Sequence, residues 1–201
     1  MLFRSVAQEG ASQVRIALTE VPLTQNGAIG FQVENTLASI GAAWAVGLSW
    51  PAICQGLATF VNDAQAVPGR FNLFSFKGAT VIADYGHNPD AIKALVQAVK
   101  NLPAKQRSVV ISGAGDRRDE DIREQTRVIG EAFERVVLYE DACQRGRADG
   151  EVLNLLKQGL QNASLTKDVA EIRGEFIAID HALDQLNPGD LCLVLIDQVE
   201  D

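Results

Sequence analysis

The sequence predicts an α/β protein whose larger part is a Rossmann-like, mostly parallel sheet in three layers. From Arg70 onward, short and strongly apolar segments alternate with amphipathic helical segments, and the strand-then-helix pattern recurs four times. This alternation implies parallel strands joined by right-handed crossovers. In addition, polar loops follow the apolar strands, as is typical of the carboxyl ends of strands in ligand-binding α/β sheets.

The first 67 residues have a different pattern and are predicted to be the end of another domain. Residues 12–23 (SQVRIALTEVPL) predict an extended segment, which the turn-prone TQNGAIG ends. Two helical segments follow, FQVENTLASIGAAWAV and WPAICQGLATF. VNDAQAVPG is typical of a linker, so we place the domain boundary near Pro68, with residues 68–201 forming the second domain.

The second domain begins with a predicted hairpin. RFNLFSF and ATVIADY have the composition of strands, and Lys77-Gly78 between them is a hairpin signal. Asn88 can cap a helix that starts at Pro89 and runs to about Lys100.

The remaining elements continue the alternation to the end of the chain. SVVISG, RVVLYE, SLTKDVAEI and DLCLVLI predict strands or extended segments. EDIREQTRVIGEAF, residues 149–159 and EFIAIDHALDQL predict the helices between them.

Composition excludes several classes of function. The chain has 201 residues and a net charge of −8, which disfavours capture of nucleic acid or of an anionic membrane surface. No run of about 18 uncharged apolar residues occurs, so no membrane span is predicted. Three scattered cysteines without CxxC spacing indicate a reducing cytoplasm rather than disulfides or a zinc site.

Three polar loops at predicted strand ends are the candidate sites. In DYGHNPD, helix capping explains Asn88 and Asp90 but not Asp84 at the end of an apolar strand, nor Tyr85 and His87. A structural turn and a functional loop are equally supported there. A metal site formed by Asp84, His87 and Asp90 is the weaker interpretation, because the ligands are few.

The other two loops are ambiguous when they are taken alone. GAGDRRDED lacks the third glycine of the dinucleotide fingerprint, so it is either a solvated turn opening a helix or a site built on Asp116 and Arg117. EDACQRGRADGE carries charges of both signs. It is either a solvated surface or a pocket for a zwitterionic amino acid, whose carboxylate suits arginine and whose cation suits an acid.

Taken together, five stretches closely resemble the Mur ligase superfamily, which builds peptidoglycan precursors and polyglutamylates folates. These stretches are GFQVENTLASIGAAWAVG, PGRFNLF, VIADYGHNPDAIKALV, GAGDRRDEDIREQ and YEDACQRGRADGE. The resemblance runs from about Leu18 to the end of the chain and implies the C-terminal Rossmann-like domain of this family, preceded by the end of its central ATPase domain. It also implies the branch that joins arginine to aspartate side chains of a growing polymer.

The family's chemistry implies ATP as the nucleotide, with Mg²⁺ bound mainly by the central domain. A substrate carboxylate is phosphorylated, and an amine then attacks the acyl phosphate to form an amide. The implied partners are ATP, arginine, an aspartate-containing polymer and the upstream domains of the same protein. Neither nucleic acid nor a membrane is implied, and association into homo-oligomers is left open.

By position, the resemblance assigns two sets of site residues, and it assigns no catalytic or metal-binding residue. The implied nucleotide-binding residues are Asn35, Arg70, Asp84, Tyr85, His87 and Asn88. The implied substrate-binding residues are Asp116, Arg117, Asp141, Arg145 and Arg147. Charge complementarity adds the hypothesis that Glu140, Asp141 or Asp149 holds the guanidinium of the incoming arginine.

The sequence departs from the family in one respect. No GxxxxGK[ST] motif occurs in the 201 residues, so the phosphate-cradling loop of the central domain is absent from this sequence. We therefore expect a fragment or truncated member that alone binds ATP weakly and forms no amide bond. The alternative is a non-catalytic module that keeps the fold for binding or assembly.

Overall fold

The computed structural model describes residues 3–9, 12–140 and 145–197 of the chain. Clustering of contacts divides the chain into two compact units. One comprises residues 1–62 with 97–102, and the other comprises residues 63–96 with 103–201. The assignment of residues 1–67 to the end of a central ATPase domain stays a prediction.

The first unit combines a two-stranded sheet with two helices. Its elements are β1 (Phe3–Glu9), β2 (Ser12–Ala17), α1 (Gly30–Ala45) and α2 (Trp50–Thr59). β1 and β2 pair antiparallel, and a small core of Ile16, Val21, Ile40 and Ile53 lies within the unit.

The extended segment predicted over residues 12–23 was wrong beyond Ala17. Two 3₁₀ turns follow β2, Leu18–Glu20 and Pro22–Thr24. The buried Thr24 hydroxyl lies 2.9 Å from the Val21 carbonyl and 3.2 Å from the Leu18 carbonyl, and donates its hydrogen bond there. Because this side chain satisfies local backbone acceptors, the chain turns where an apolar pattern alone suggested a continued strand.

The second unit is built on a six-stranded sheet and confirms the predicted α/β fold. The strands are β3 (Asn72–Phe76), β4 (Ala79–Asp84), β5 (Arg107–Ile111), β6 (Arg135–Glu140), β7 (Asp168–Arg173) and β8 (Leu191–Leu195). Their spatial order is β3-β4-β8-β5-β6-β7. The predicted hairpin is confirmed, because β3 pairs antiparallel with β4 through Lys77 and Gly78, whose φ angles are 50° and 78°. The other pairings are parallel.

Four helices connect the parallel strands: α3 (Pro89–Lys100), α4 (Asp119–Ile129), α5 (Glu151–Leu160) and α6 (Glu175–Asp184). The connections through α3, α4 and α5 advance across the sheet toward β7, whereas the connection through α6 returns to β8. Right-handed crossovers therefore put α6 on the opposite face of the sheet from the other three helices. On that face, Ala178 and Ala182 of α6 pack in one buried cluster with Val110, Val137 and Cys192.

The return of β8 to the middle of the sheet determines where the site forms. β8 lies between β4 and β5, so the carboxyl ends of β4, β8, β5 and β6 follow one another along one edge. This is the edge at which α/β sheets bind ligands, and the three polar loops identified in the sequence leave from it. In the part of the chain that the structure describes, no helix is long and apolar enough to cross a bilayer.

Candidate functional site

The turn after β4 is organised by the buried carboxylate of Asp84. Asp84 is 9% exposed, and its Oδ2 accepts a hydrogen bond of 2.9 Å from the Phe71 N–H. The Gly86 N–H also donates to this carboxylate. A Cβ at Gly86 would lie 2.9 Å from Leu95 Cδ1 and 3.0 Å from Asp84 Oδ1. A larger residue there would therefore force the Leu95 or Asp84 side chain to move.

Burial raises the pKa of Asp84 to about 6. The two backbone N–H donors and the positive charge of Arg70 act in the opposite direction, but they do not offset the loss of hydration. The folded protein therefore disfavours the charged carboxylate of Asp84 relative to its protonated form.

A second buried side chain, Asn72, shapes the turn that carries Arg70. Asn72 is 1% exposed. Its Oδ1 accepts from the Gly69 N–H at 2.7 Å and from the Arg70 N–H at 3.4 Å, and its Nδ2 donates to the Val67 carbonyl at 3.0 Å. The Tyr85 N–H donates to the Gly69 carbonyl at 2.9 Å, which ties this turn to the end of β4. The sequence analysis missed Asn72, because an Asn at the start of a strand has no distinctive pattern.

His87 and Tyr85 are half-buried side chains of the loop after β4. Their rings meet edge to face with centroids 4.0 Å apart. The buried Gln125 of α4 donates from Nε2 to the His87 carbonyl at 2.7 Å, which fixes the loop against the helix. Asn88 accepts from the Ala91 N–H at 2.8 Å. The predicted cap of α3 is therefore confirmed, whereas a nucleotide contact of Asn88 stays a prediction.

The charges around His87 identify the neighbours of the loop. Partial burial is the main cause of a lowered His87 pKa, and the positive charges of Arg145, Arg117 and Arg70 lower it further. Asp197 acts in the opposite direction and raises it. Side chains from four separate segments thus lie close enough to influence one imidazole, and three of them are predicted site residues.

Arg145 links two segments of this edge. Its guanidinium lies 3.1 Å from Asp197 Oδ1 and 3.4 Å from Asp116 Oδ1. The negative charge of Asp197 is the main cause of a raised Arg145 pKa. Arg145 has a φ of 49°, a left-handed conformation that is uncommon for residues other than glycine. The structure therefore brings Asp116 and Arg145, two of the predicted substrate residues, into contact.

Arg147, in contrast, is engaged with the protein itself. Its Nε donates to the Gly115 carbonyl at 2.7 Å and its NH2 group to the Arg117 carbonyl at 2.6 Å. Its NH1 group lies 2.8 Å from Asp119 and 2.6 Å from Glu151. These bonds connect the loop after β6 with the loop after β5. In the structure Arg147 shapes the site, and its direct contact with a substrate stays a prediction.

The three acidic candidates for a guanidinium partner have different surroundings. Asp141 lies outside the described residues. Asp149 pairs with Arg173 at 2.9 Å on an exposed surface. Glu140 is 5% exposed; its Oε2 accepts from the Gly150 N–H at 2.8 Å, whereas its Oε1 has no hydrogen-bond partner in the described part of the chain.

Asn35 belongs to the first unit. It is exposed on α1, and its Nδ2 donates to Gln32 Oε1 at 3.1 Å. Its contact with a nucleotide stays a prediction.

The second unit offers cations for a phosphate-containing ligand. Arg70, Arg117 and Arg145 all act on His87, and such clustered guanidinium groups suit phosphate oxygens. No group of three or more His, Cys, Asp or Glu side chains that could hold a metal ion occurs among the described residues. Nucleotide binding at this edge stays a prediction, and the Mg²⁺ ligands remain assigned by the resemblance to the central domain.

A family model, the Mur ligase glutamate ligase domain, matches residues 69–195. The chain belongs to this family. The match covers the whole sheet of the second unit, so the Mur ligase resemblance predicted from the five motifs is confirmed.

Sequence relatives narrow the resemblance within the Mur ligase family. The chain is 35% identical over 192 residues to cyanophycin synthetase of Synechocystis sp., and 36% identical over 192 residues to that of Crocosphaera subtropica. Each alignment covers 95% of this chain and 22% of the relative. Over 165 residues it is 30% identical to UDP-N-acetylmuramoyl-L-alanyl-D-glutamate--2,6-diaminopimelate ligase of Alkaliphilus metalliredigens, covering 82% of this chain and 32% of that protein. The chain thus spans about a fifth of the length of the cyanophycin synthetases it matches.

Solved structures agree with the fold. FolC of E. coli in complex with DHPP and ADP superposes with a TM-score of 0.63 at 26% identity, covering 80% of this chain and 35% of that chain. Folylpolyglutamate synthase of Thermotoga maritima gives a TM-score of 0.62 at 23% identity, covering 93% of this chain and 39% of that one.

Proposed function

We propose that this chain is the nucleotide-closing and amino-acid-binding part of an ATP-dependent amide ligase of the cyanophycin synthetase type. The complete enzyme would join arginine to aspartate side chains of a growing polymer. The observation that carries the proposal is that the charges of Arg70, Arg117 and Arg145 all act on His87 at the carboxyl edge of the sheet. The identity to cyanophycin synthetases over 95% of the chain supports the choice of substrate class.

In this proposal the reaction has two balanced steps. An aspartate carboxylate oxygen attacks the γ-phosphorus of ATP, which gives an acyl phosphate and ADP. The amine of arginine then attacks the acyl carbon, phosphate leaves, and the nitrogen loses a proton. Both steps need mainly positioning and charge stabilisation, which fixed arginines at a rigid sheet edge supply. Mg²⁺, held by the central domain, would neutralise phosphate charge.

The residues of this chain would have distinct tasks. Arg70, on a turn fixed by Asn72 and next to the end of β4, would reach the phosphates. Asp84, Tyr85 and His87 would form the nucleotide side of the cleft. Because its pKa is lowered, His87 is neutral at neutral pH and suits a hydrogen-bonding role better than an ionic one. The loop after β6 would receive the amino acid.

The first test replaces the matching segment of Synechocystis cyanophycin synthetase with this chain and measures ATP hydrolysis in the presence of a primer. We expect hydrolysis that depends on arginine. Arg70→Ala and Asp84→Ala should each lower the rate at least about tenfold, equivalent to about 1.4 kcal/mol. Arg127→Ala is the matched control, because Arg127 is an exposed arginine of α4 that pairs with Glu124 and Glu131. Unchanged rates in both site variants would remove the assignment.

A second test uses the 201-residue chain alone and needs no activity. MgADP at millimolar concentration should shift the amide NMR signals of Tyr85, His87 and Asn88. The matched reference is Lys77 and Gly78, in the hairpin at the opposite end of β4. Shifts confined to the hairpin, or none at either place, would contradict the proposed nucleotide side of the cleft.

A third experiment tests the preference for arginine over lysine. In competition between lysine and arginine, the chimeric enzyme should prefer arginine, and Asp141→Ala should reduce that preference. If the preference is unchanged in this variant, Asp141 does not hold the guanidinium.

A further inference from the structure

A line of hydrogen bonds leads from the core of the second unit to the candidate site. The hydroxyl of the buried Tyr139 lies 3.3 Å from Glu175 Oε1 and 3.2 Å from the Leu195 carbonyl. Glu175, at the start of α6, is 8% exposed, and its Oε1 also accepts from the Asp197 N–H at 2.9 Å. A buried carboxylate therefore fixes the backbone of Asp197, two residues beyond the end of β8.

Asp197 continues this line to the loop after β6. Its Oδ1 lies 3.1 Å from the Arg145 guanidinium. Three quarters of the Asp197 side chain is buried, since 25% of it is exposed, whereas 57% of the Asp116 side chain is exposed. Of the two carboxylates beside Arg145, Asp197 is thus the one with a fixed backbone and a sheltered side chain.

We propose that Asp197 is a positioning residue of the amino-acid site, which holds the guanidinium of Arg145 beside the loop after β4. Glu175 supports this role by fixing the backbone from which Asp197 acts. The link to an amino-acid substrate rests on the proposed function, but the positioning of Arg145 does not depend on it.

The role is one of orientation rather than of stability. Partly exposed ion pairs contribute little to the free energy of unfolding. A guanidinium held between two carboxylates has few accessible orientations, however, and Arg145 is joined to a backbone with a φ of 49°. A site residue whose side chain is held in advance loses less conformational entropy when a ligand binds.

The pKa of His87 reports the charges of Asp197 and its neighbours. Asp197 raises the His87 pKa, and Arg145, Arg117 and Arg70 lower it. Removal of the Asp197 charge should therefore lower the His87 pKa further. The chain has only two histidines, so the ring signals of His87 and His181 can be followed separately by NMR.

The experiment titrates both rings in the natural chain and in three variants. Asp197→Asn should lower the His87 pKa. It should also weaken the NMR signals of the Arg145 guanidinium N–H groups, because the guanidinium loses its bond to Asp197 and exchanges with solvent. Glu175→Gln should move the His87 pKa in the same direction by a smaller amount. Asp116→Asn is the matched control, since it also removes a carboxylate partner of Arg145 but not one that is tied to Glu175. His181 is the internal reference.

The chimeric enzyme supplies the functional readout. Asp197→Asn should raise the KM for arginine about tenfold or more while leaving the KM for ATP within about twofold, and Asp197→Glu should restore part of the loss. Unchanged NMR signals of the Arg145 guanidinium in Asp197→Asn would overturn the positioning role whatever the enzyme does. Weakened Arg145 guanidinium signals together with a chimera that lacks arginine-dependent activity would support the positioning role and contradict the proposed function instead.

Discussion

Strands β4 and β6 both end in a buried carboxylate, but the turns that follow them are held in different ways. The Asp84 carboxylate near the end of β4 accepts from two backbone N–H groups, those of Phe71 and Gly86. At the end of β6, one oxygen of Glu140 accepts from Gly150, while the other has no partner within the described ranges. The first carboxylate thus has two backbone donors, whereas the second has one donor within the described ranges.

The turn after β4 is also more tightly packed than the loop after β6. A Cβ at Gly86 would lie 3.0 Å or less from Leu95 and Asp84, whereas a Cβ at Gly146 or Gly150 would have no neighbour within 4 Å among the described residues. The loop after β6 is instead tied down by the ion pairs of its arginines. One turn is thus fixed by packing and backbone hydrogen bonds, and the other by charge. This difference would suit the proposed functions of the two turns, a rigid nucleotide side after β4 and an adaptable amino-acid side after β6.

The largest expected effect is the pH dependence that Asp84 gives to stability. With a pKa of about 6 in the folded chain and about 3.9 when unfolded, the folded state binds the proton more tightly. The protonated Asp84 side chain therefore stabilises the fold most fully below pH 4, and this stabilisation is lost as the pH rises through 6. Between pH 4 and 7, the natural chain should lose about 3 kcal/mol relative to Asp84→Asn, measured by urea unfolding.

The control for this experiment is Asp90→Asn, which removes an exposed carboxylate in the first turn of α3. A difference between the natural chain and Asp84→Asn that stays constant from pH 4 to 7 would show that the turn after β4 does not hold a desolvated acid.

The second expected effect compares the two carboxylates directly. At pH 5.5, Asp84→Ala leaves the Phe71 and Gly86 N–H groups without their acceptor and should lower the free energy of unfolding by about 2 kcal/mol. Glu140→Ala removes one hydrogen bond together with a buried oxygen that has no described partner, and should cost about 1 kcal/mol or less. Chemical denaturation measures both. Equal losses would mean that Glu140 is as fully engaged as Asp84.

The smallest expected effect concerns the loop that Arg147 holds. Arg147→Gln removes the donors to the Gly115 and Arg117 carbonyls, so amide hydrogen exchange in residues 113–118 should become severalfold faster. Exchange at Tyr85 and Gly86 should stay unchanged, because packing fixes that turn. Arg127→Gln is the matched control on the exposed surface of α4. Faster exchange in both turns would show that the two are not held independently.

The strands and helices of the second unit were predicted well from the sequence, because the local residue preferences there agree with the overall fold. Apolar β-branched strands, the Lys77-Gly78 turn and the Asn88-Pro89 helix start each point to the observed structure. In the first unit, the turns at Pro22–Thr24 depend on the Thr24 side chain, and β1 was not foreseen.

The candidate site was predicted only in part, since single positions do not reveal their partners. Motifs located the polar loops, but the contact of Arg145 with Asp197 joins residues 52 positions apart. Like Asp84, Asp197 is a carboxylate at the end of an apolar strand segment. The same sequence pattern could therefore have identified Asp197. Asn72 and Glu175 act through backbone groups, which no side-chain pattern reports. The roles assigned to the site residues stay predictions.

The central place of β8 has a consequence for synthesis of the protein. β4 and β5 each pair with β8 rather than with each other, and Thr80 lies opposite Leu191. A nascent chain on the ribosome thus carries two unjoined halves of its sheet until about 110 further residues have been made after β4. Premature termination before Leu191 would leave two open strand edges in the middle of the layer, which makes such products candidates for aggregation and for rapid degradation.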